Sequence, residues 1–152
     1  MKLIAHRGNT AGRQPERENT VSYLKEALDQ GYEAECDVIF HNGKMYLGHD
    51  KPQEILPSSI LLNKKIWFHA KDISALQILH EAEVNCFFHH TDAATITSKG
   101  FIWLHSVVNL NPEIMLNTDK IIQVMPRVRI PDLGGYCTDN VKDLKLIKFI
   151  GA

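Results

Sequence analysis

The chain has 152 residues, which argues for a single domain over residues 1–152 with room for a real core. Hydrophobic residues make up 44% and charged residues 23%, the balance of an ordinary soluble globule, and the net charge of −1 gives no bulk pull toward nucleic acid or anionic lipid. No apolar run approaches the length of a membrane span, and Met1-Lys2-Leu3-Ile4 leads into structure without the apolar core of a signal peptide, so a cytoplasmic location is expected.

Residues 2–6 (KLIAH) read as a short apolar strand ending in His6-Arg7-Gly8, and the loop NTAGRQPER that follows is too charged for a core. Asn19 or Thr20 caps a helix in which Val21, Leu24, Ala27 and Leu28 recur at helical spacing, and which stops before Gly31. A second strand runs from Glu33 to Phe40. Glu35 and Asp37 lie two residues apart in it, so both carboxylates leave the same face. Asn42-Gly43 suits a two-residue type I′ turn, and the chain returns through Met45, Tyr46 and Leu47 to His49-Asp50. Counting pairs outward from that turn sets Gly48 opposite Asp37 and His49 opposite Cys36. A bulge at Gly48, or pairing that ends there, is needed to bring His49 round to the acids. Two carboxylates and an imidazole at one strand end point to a hard divalent cation beside a proton-transfer group.

KPQEILPSS, broken by two prolines, reads as a loop. Then come a strand IWFHAK (66–71), an amphipathic helix SALQILHEAE and a strand NCFFHH (85–90). A turn or two of helix is expected from Ala93 to Lys99, a strand at FIWLHS (101–106) and a short helix from Asn111 to Asn117. Strands KIIQVM (120–125) and YCTD (136–139) flank the loop PRVRIPDLGG, and VKDLKLIKFI reads as a final helix. Such alternation argues for a parallel α/β sheet or barrel, whose ligand sites lie at the C-terminal strand ends. Those ends carry His6, Asp37, Lys71, His90, His105 and Asp139. Trp67 and Trp103 read as filling between the strands, and His89, His90 and His105 as ordinary polar strand ends. Cys36, Cys86 and Cys137 each sit in an apolar run without paired metal spacing, so they read as buried thiols.

The order His6-Arg7-Gly8, Glu18-Asn19-Thr20, Glu35-x-Asp37-Val38 and His49-Asp50 resembles the glycerophosphodiester phosphodiesterase family, one of a group of TIM-barrel phosphodiesterases with phospholipase D toxins and phosphatidylinositol-specific phospholipase C. A thinner echo is Cys137-Thr138-Asp139-Asn140, where the family's last strand commonly ends in Thr-Asp. A typical barrel of this type needs about 250 residues. The resemblance therefore implies an α/β fold of a reduced kind: a small, trimmed TIM-type (β/α) barrel with short or missing helices and a β-hairpin extending strand 2.

It further implies that His6 and His49 are an acid/base pair, that Arg7 holds a phosphate oxygen, and that Glu35 and Asp37 bind Mg²⁺ or Ca²⁺, with Glu18 and Asn19 near the site. One departure stands out. Where the family's third strand has Glu-x-Lys, this chain has His69-Ala70-Lys71. Lys71 fits the phosphate contact, and His69 falls at the third metal-ligand position, where an imidazole shifts preference toward Mn²⁺ or Zn²⁺. The function implied is that of a metal-dependent phosphoric diester hydrolase acting on a small glycerophosphodiester-like molecule. Two alternatives accompany it: a catalytically degenerate phosphate-binding module, and a lyase in which a substrate hydroxyl attacks internally and leaves a cyclic phosphate.

Overall fold

The structure, a computed structural model, describes residues 1–105 and 118–149. The first half folds as β1 (Lys2–His6), α1 (Val21–Asp29), β2 (Glu33–His41), β3 (Lys44–Leu47), β4 (Glu54–Ile55), α2 (Ser58–Leu61), β5 (Ile66–Ala70) and α3 (Ile73–Glu81). The second half adds β6 (Cys86–Phe87), β7 (Ala94–Ile96), β8 (Ile102–Leu104), β9 (Ile121–Val124) and β10 (Gly135–Thr138), with 3₁₀ turns at Thr118–Lys120 and Val141–Leu146. Thr20 caps α1 by accepting from the Tyr23 N–H, and Asp72 caps α3 through the Ala75 N–H. The second carboxylate oxygen of Asp72 accepts from the Phe40 N–H, which ties α3 to β2.

The ten strands of the described residues belong to one mixed sheet. Seven pair in parallel in the order β6-β5-β2-β1-β10-β9-β8, with Asp37 beside His69 and His6 beside Glu35. The others run antiparallel: β3 on the far half of β2, β4 on β3, and β7 on β8.

The sheet curls into a half-barrel, which corrects the expected TIM-type barrel of alternating strand and helix. The physical reason is local. Thr95, Ile96 and Thr97 occupy the stretch read as helix, and β-branched side chains lose rotamer freedom in a helix while fitting a pleated surface. That stretch forms β7 and turns back on β8. The final helix is likewise reduced to one 3₁₀ segment, whose buried residues Val141 and Leu144 have the three-residue spacing of that turn. KPQEILPSS, read as loop, holds β4 and α2. The helix read at Asn111–Asn117 lies outside the described residues.

Two apolar layers follow from the strand alternation. On the convex face, Ala34, Cys36, Val38, Phe68 and Ala70 pack against Leu24 and Ala27 of α1, Ile60 of α2, and Ala75 and Leu79 of α3. On the concave face, Ile4, Trp67, Phe87, Trp103, Ile122, Val124 and Cys137 form a second core. There the Trp103 ring lies 5.5 Å from Trp67 and 4.5 Å from Phe87. Leu104, Ile121, Ile130, Leu133, Tyr136 and Leu144 make a third cluster. The three cysteines are buried free thiols. No helix among the described residues is long and apolar enough to cross a membrane.

Candidate functional site

The alternation that sends Cys36 and Val38 into the helix-facing core sends Glu35 and Asp37 to the concave face, where both are buried. β5 supplies the third member. His69 is paired with Asp37 in the parallel register, and its Nδ1 lies 3.2 Å from Asp37 Oδ1 and 3.9 Å from Glu35 Oε1. One donor atom from each of the three falls within 4.8 Å of the other two.

The hydrogen bonding of this group is incomplete in an informative way. His69 Nε2 faces the carbonyl oxygen of His89 at 3.4 Å. A carbonyl only accepts, so the tautomer that protonates Nε2 leaves the Nδ1 lone pair turned toward the two carboxylates, as a metal ligand requires. Asp37 Oδ1 is buried, and in that tautomer it accepts no hydrogen bond among the described residues. In that tautomer the converging lone pairs fit a divalent cation, which Glu35, Asp37 and His69 could hold, whereas a proton on Nδ1 makes the ring a donor to Asp37. Burial and the adjacent Asp37 push the Glu35 carboxyl up. Burial works on Asp37 in the same direction, but His69, Arg7 and the Asn19 hydrogen bond outweigh it and hold Asp37 well below the usual carboxylate range.

An imidazole stands on each side of the acids, and each is backed by an aspartate. His6 Nδ1 donates to Asp139 Oδ1 at 2.8 Å, which leaves Nε2 facing Glu35 Oε2 at 3.8 Å. Burial alone would lower the His6 pKa, yet Glu35 and Asp139 together raise it above the ordinary value. On the other side, His49 Nδ1 donates to Asp50 Oδ1 at 2.7 Å, and its Nε2 meets Lys71 Nζ at 3.4 Å. Lys71 Nζ is in turn 4.0 Å from Asp37 Oδ1. The carboxylates are only 1–2% exposed, whereas His6 is 18% and His49 37% exposed, so a substrate can touch the rings while the acids lie beneath.

His49 reaches this place because the β2–β3 pairing stops at Leu47. The Gly48 N–H still bonds Asp37 O, as the register counted from the turn requires. Gly48 then adopts φ +149°, and a Cβ there would collide with the Lys51 carbonyl oxygen.

Arg7 is placed among acids. Its Nε lies 2.9 Å from Asp37 Oδ2, too far out of line to hydrogen-bond, while Nη1 donates to Glu18 Oε2 and the backbone N–H to Glu35 Oε2. Glu18 also accepts from Asn9 and Arg13, so it anchors the guanidinium. Asn19 grips Asp37 twice: its Nδ2 donates to the carboxylate, and its Oδ1 accepts the Asp37 N–H, both at 2.9 Å. Arg7 at φ +52° and Asn19 at φ +57° are left-handed residues at the two ends of the loop that carries these contacts.

The structure thus gathers His6, Arg7, Glu18, Asn19, Glu35, Asp37, His49, His69 and Lys71 on one rim of the sheet. A cavity of about 240 Å³ opens beside it, lined by Arg7, Arg13, Glu18, Asn19, His49 and Asp50 among others. A larger one, about 520 Å³, lies at the opposite strand ends around Lys2, Trp67 and Phe101, away from the acids.

Four contributors carry no assigned role in the sequence reading. Asp139 stands among the polar strand ends and in the Thr-Asp echo, and Asn9 in a loop, neither with a role, yet Asn9 Nδ2 bridges Glu18 and Asp139. His89 and His105 looked like plain strand ends. His89 stacks on His69 with ring centres 4.6 Å apart and planes within 5°, and its Nε2 meets His105 Nε2 at 2.8 Å. Burial, His69, His105 and Lys71 push His89 down to about 4, and burial, His69 and His6 do the same to His105. The inward alternation 87–89 and 103–105, beside Trp67–His69, was the available signal. The chain matches no known family, no curated protein and no solved structure.

Proposed function

We propose that the chain is a metal-dependent phosphoric diester hydrolase acting on a small glycerophosphodiester-like substrate. The observation that carries this reading is a pair of aspartate-backed imidazoles flanking a buried Glu-Asp-His set, with a lysine alongside. Glu35, Asp37 and His69 would hold one divalent cation, Mg²⁺ or Ca²⁺ by their two hard oxygens, with Mn²⁺ or Zn²⁺ admitted by the imidazole. When bound, the ion supplies positive charge for the phosphoryl oxygens of the substrate.

The rest of the work falls to the side chains. Lys71 meets an equatorial phosphoryl oxygen as charge accumulates there. The Nδ1–H of each ring is committed to its aspartate, so Nε2 is the working atom in both His6 and His49. One ring, neutral, takes the proton of the attacking water; the other, protonated, gives its proton to the departing alkoxide. The phosphorus–oxygen bond to the leaving alcohol breaks as the bond to water oxygen forms, and the two rings exchange protonation states. Arg7 serves this scheme by holding Asp37 and Glu35 in place while presenting charge to the substrate phosphate.

The test is turnover of bis-p-nitrophenyl phosphate. EDTA should abolish it, and Mg²⁺, Ca²⁺, Mn²⁺ or Zn²⁺ should restore it to differing extents. Because the Arg7 guanidinium already has carboxylate partners, a second reading is a phosphate-binding module without turnover. Phosphate binding with no metal-dependent hydrolysis would replace the first reading by the second. A cyclic phosphate among the products of a glycerol diester would instead mark internal attack by a substrate hydroxyl.

A further inference from the structure

We propose that His89 and His105 form a second metal site, distinct from Glu35–Asp37–His69, that takes a borderline transition-metal ion of the Zn²⁺, Ni²⁺ or Cu²⁺ class. The two Nε2 atoms converge at 2.8 Å across rings whose centres are 4.3 Å apart. Ligand bonds of about 2.0–2.1 Å set two nitrogens about 2.9 Å apart at a right angle and about 3.4 Å apart at the tetrahedral angle. The pair therefore has the spacing of neighbouring ligands on square-planar Cu²⁺ or Ni²⁺ and needs to open by about 0.5 Å for tetrahedral Zn²⁺.

The rings are also oriented in advance. His89 and Phe87, two positions apart in the chain with ring centres 6.0 Å apart, both lie nearly parallel to His69, with interplanar angles of 5° for His69 on His89 and 17° for His69 on Phe87. That stack fixes the plane of His89, while His105 is exposed at the end of its strand and opens the pair to solvent. The fold makes little use of the His89 nitrogens. Nδ1 is buried with no hydrogen-bond partner among the described residues, and Nε2 meets His105. A half-buried ring with one nitrogen left over by the fold can change tautomer without losing a bond.

An all-nitrogen pair is a poor host for Mg²⁺ or Ca²⁺, which take oxygen, and a good one for borderline ions. For an ion to bind, the ring that donates in the His89–His105 contact moves its proton from Nε2 to Nδ1, so both Nε2 lone pairs face the ion. No net proton leaves the protein. His69, which stacks on His89 and turns its Nδ1 to the acids, separates the two sites and gives each its own side of the ring.

The experiment is calorimetric titration of the metal-free protein with Zn²⁺ and, separately, with Mg²⁺. The wild type should bind two Zn²⁺ ions and one Mg²⁺. His105→Ala, an exposed position that the fold tolerates, should lose one Zn²⁺ or bind it at least ten-fold more weakly, and should keep Mg²⁺ unchanged. His89→Gln should do the same, and His80→Ala, on the surface of α3, should change nothing. Two Zn²⁺ ions held with unaltered affinity by His105→Ala and His89→Gln would overturn the second site, as would a wild type binding one Zn²⁺ that Glu35→Gln removes. A His105-dependent Zn²⁺ ion in a protein that binds no Mg²⁺ would instead overturn the acid site and leave this one standing.

Discussion

The concave face of the sheet has two levels, one pleat apart on the same strands. The lower holds Ile4, Trp67, Phe87, Trp103 and Cys137; the upper holds His6, His69, His89, His105 and Asp139. Each upper residue follows its lower partner by two positions, so one backbone register builds an apolar floor and a titratable rim together. The difference teaches what the floor does. It excludes water from below, and in that dry setting the unequal neighbours of Glu35 and Asp37 drive their protonation apart.

Breaking the floor should have the largest effect. Trp67→Ala removes the ring that packs on Trp103 and Phe101, and the expected loss is about 3–5 kcal/mol of unfolding free energy, measured by urea denaturation. A cost under about 1 kcal/mol would show that the aromatic layer is not packed as described. The rim should respond in activity instead. His6→Ala or His49→Ala should each lower phosphodiester turnover by about 10² or more, with substrate binding less affected. Wild-type rates in both would make the rings bystanders.

A subtler separation of the levels concerns protonation. Asp139→Asn removes one of the charges that raise the His6 pKa, so the ring should titrate lower in the variant than in the wild type, followed by NMR in the metal-free protein. The raised value means that ionised His6 stabilises the fold fully below the unfolded value of about 6.5, and that this share is lost as pH rises through the folded value. The stability gap between wild type and Asp139→Asn should therefore be wider in acid than in alkali. A His6 titration that does not move would remove Asp139 as its partner.

The smallest effect is expected below the floor. Lys2 donates to Glu33 at 2.8 Å, but it is 39% exposed, and Lys2→Ala should cost no more than about 1 kcal/mol in denaturation. A larger cost would mean that the floor depends on this ion pair.

The upper level was legible wherever short-range rules govern it. Alternation placed Glu35 and Asp37 together, and Asn42-Gly43 set the register that puts Gly48 opposite Asp37. What escaped depends on strands distant in the chain. Asp139 reaches His6 across 133 residues, and His105 reaches His89 only because β7 folds back on β8. That turnback was itself misread as helix, and with it the architecture, because a three-residue strand offers too few positions for its period to show. His49 illustrates the middle case: its need for a break at Gly48 was legible, but the left-handed backbone and the Lys51 carbonyl that enforce it were not.

The pairing of β1 also imposes an order in time. β1 is interior to the sheet, with β2 on one edge and β10 on the other, and Leu3 lies opposite Tyr136. A growing chain can assemble β1, β2, β5 and β6 early, but the second edge of β1 stays bare until residues 135–138 emerge. At synthesis rates of about 5–20 residues per second, the stretch from Phe87 to Gly135 leaves that edge open for about 2–10 s. Contacts this distant also slow refolding of the complete chain. During the wait the apolar run Leu3-Ile4-Ala5 is a template for any passing strand, so the nascent protein is most exposed to misassociation at a strand that the finished fold pairs on both edges.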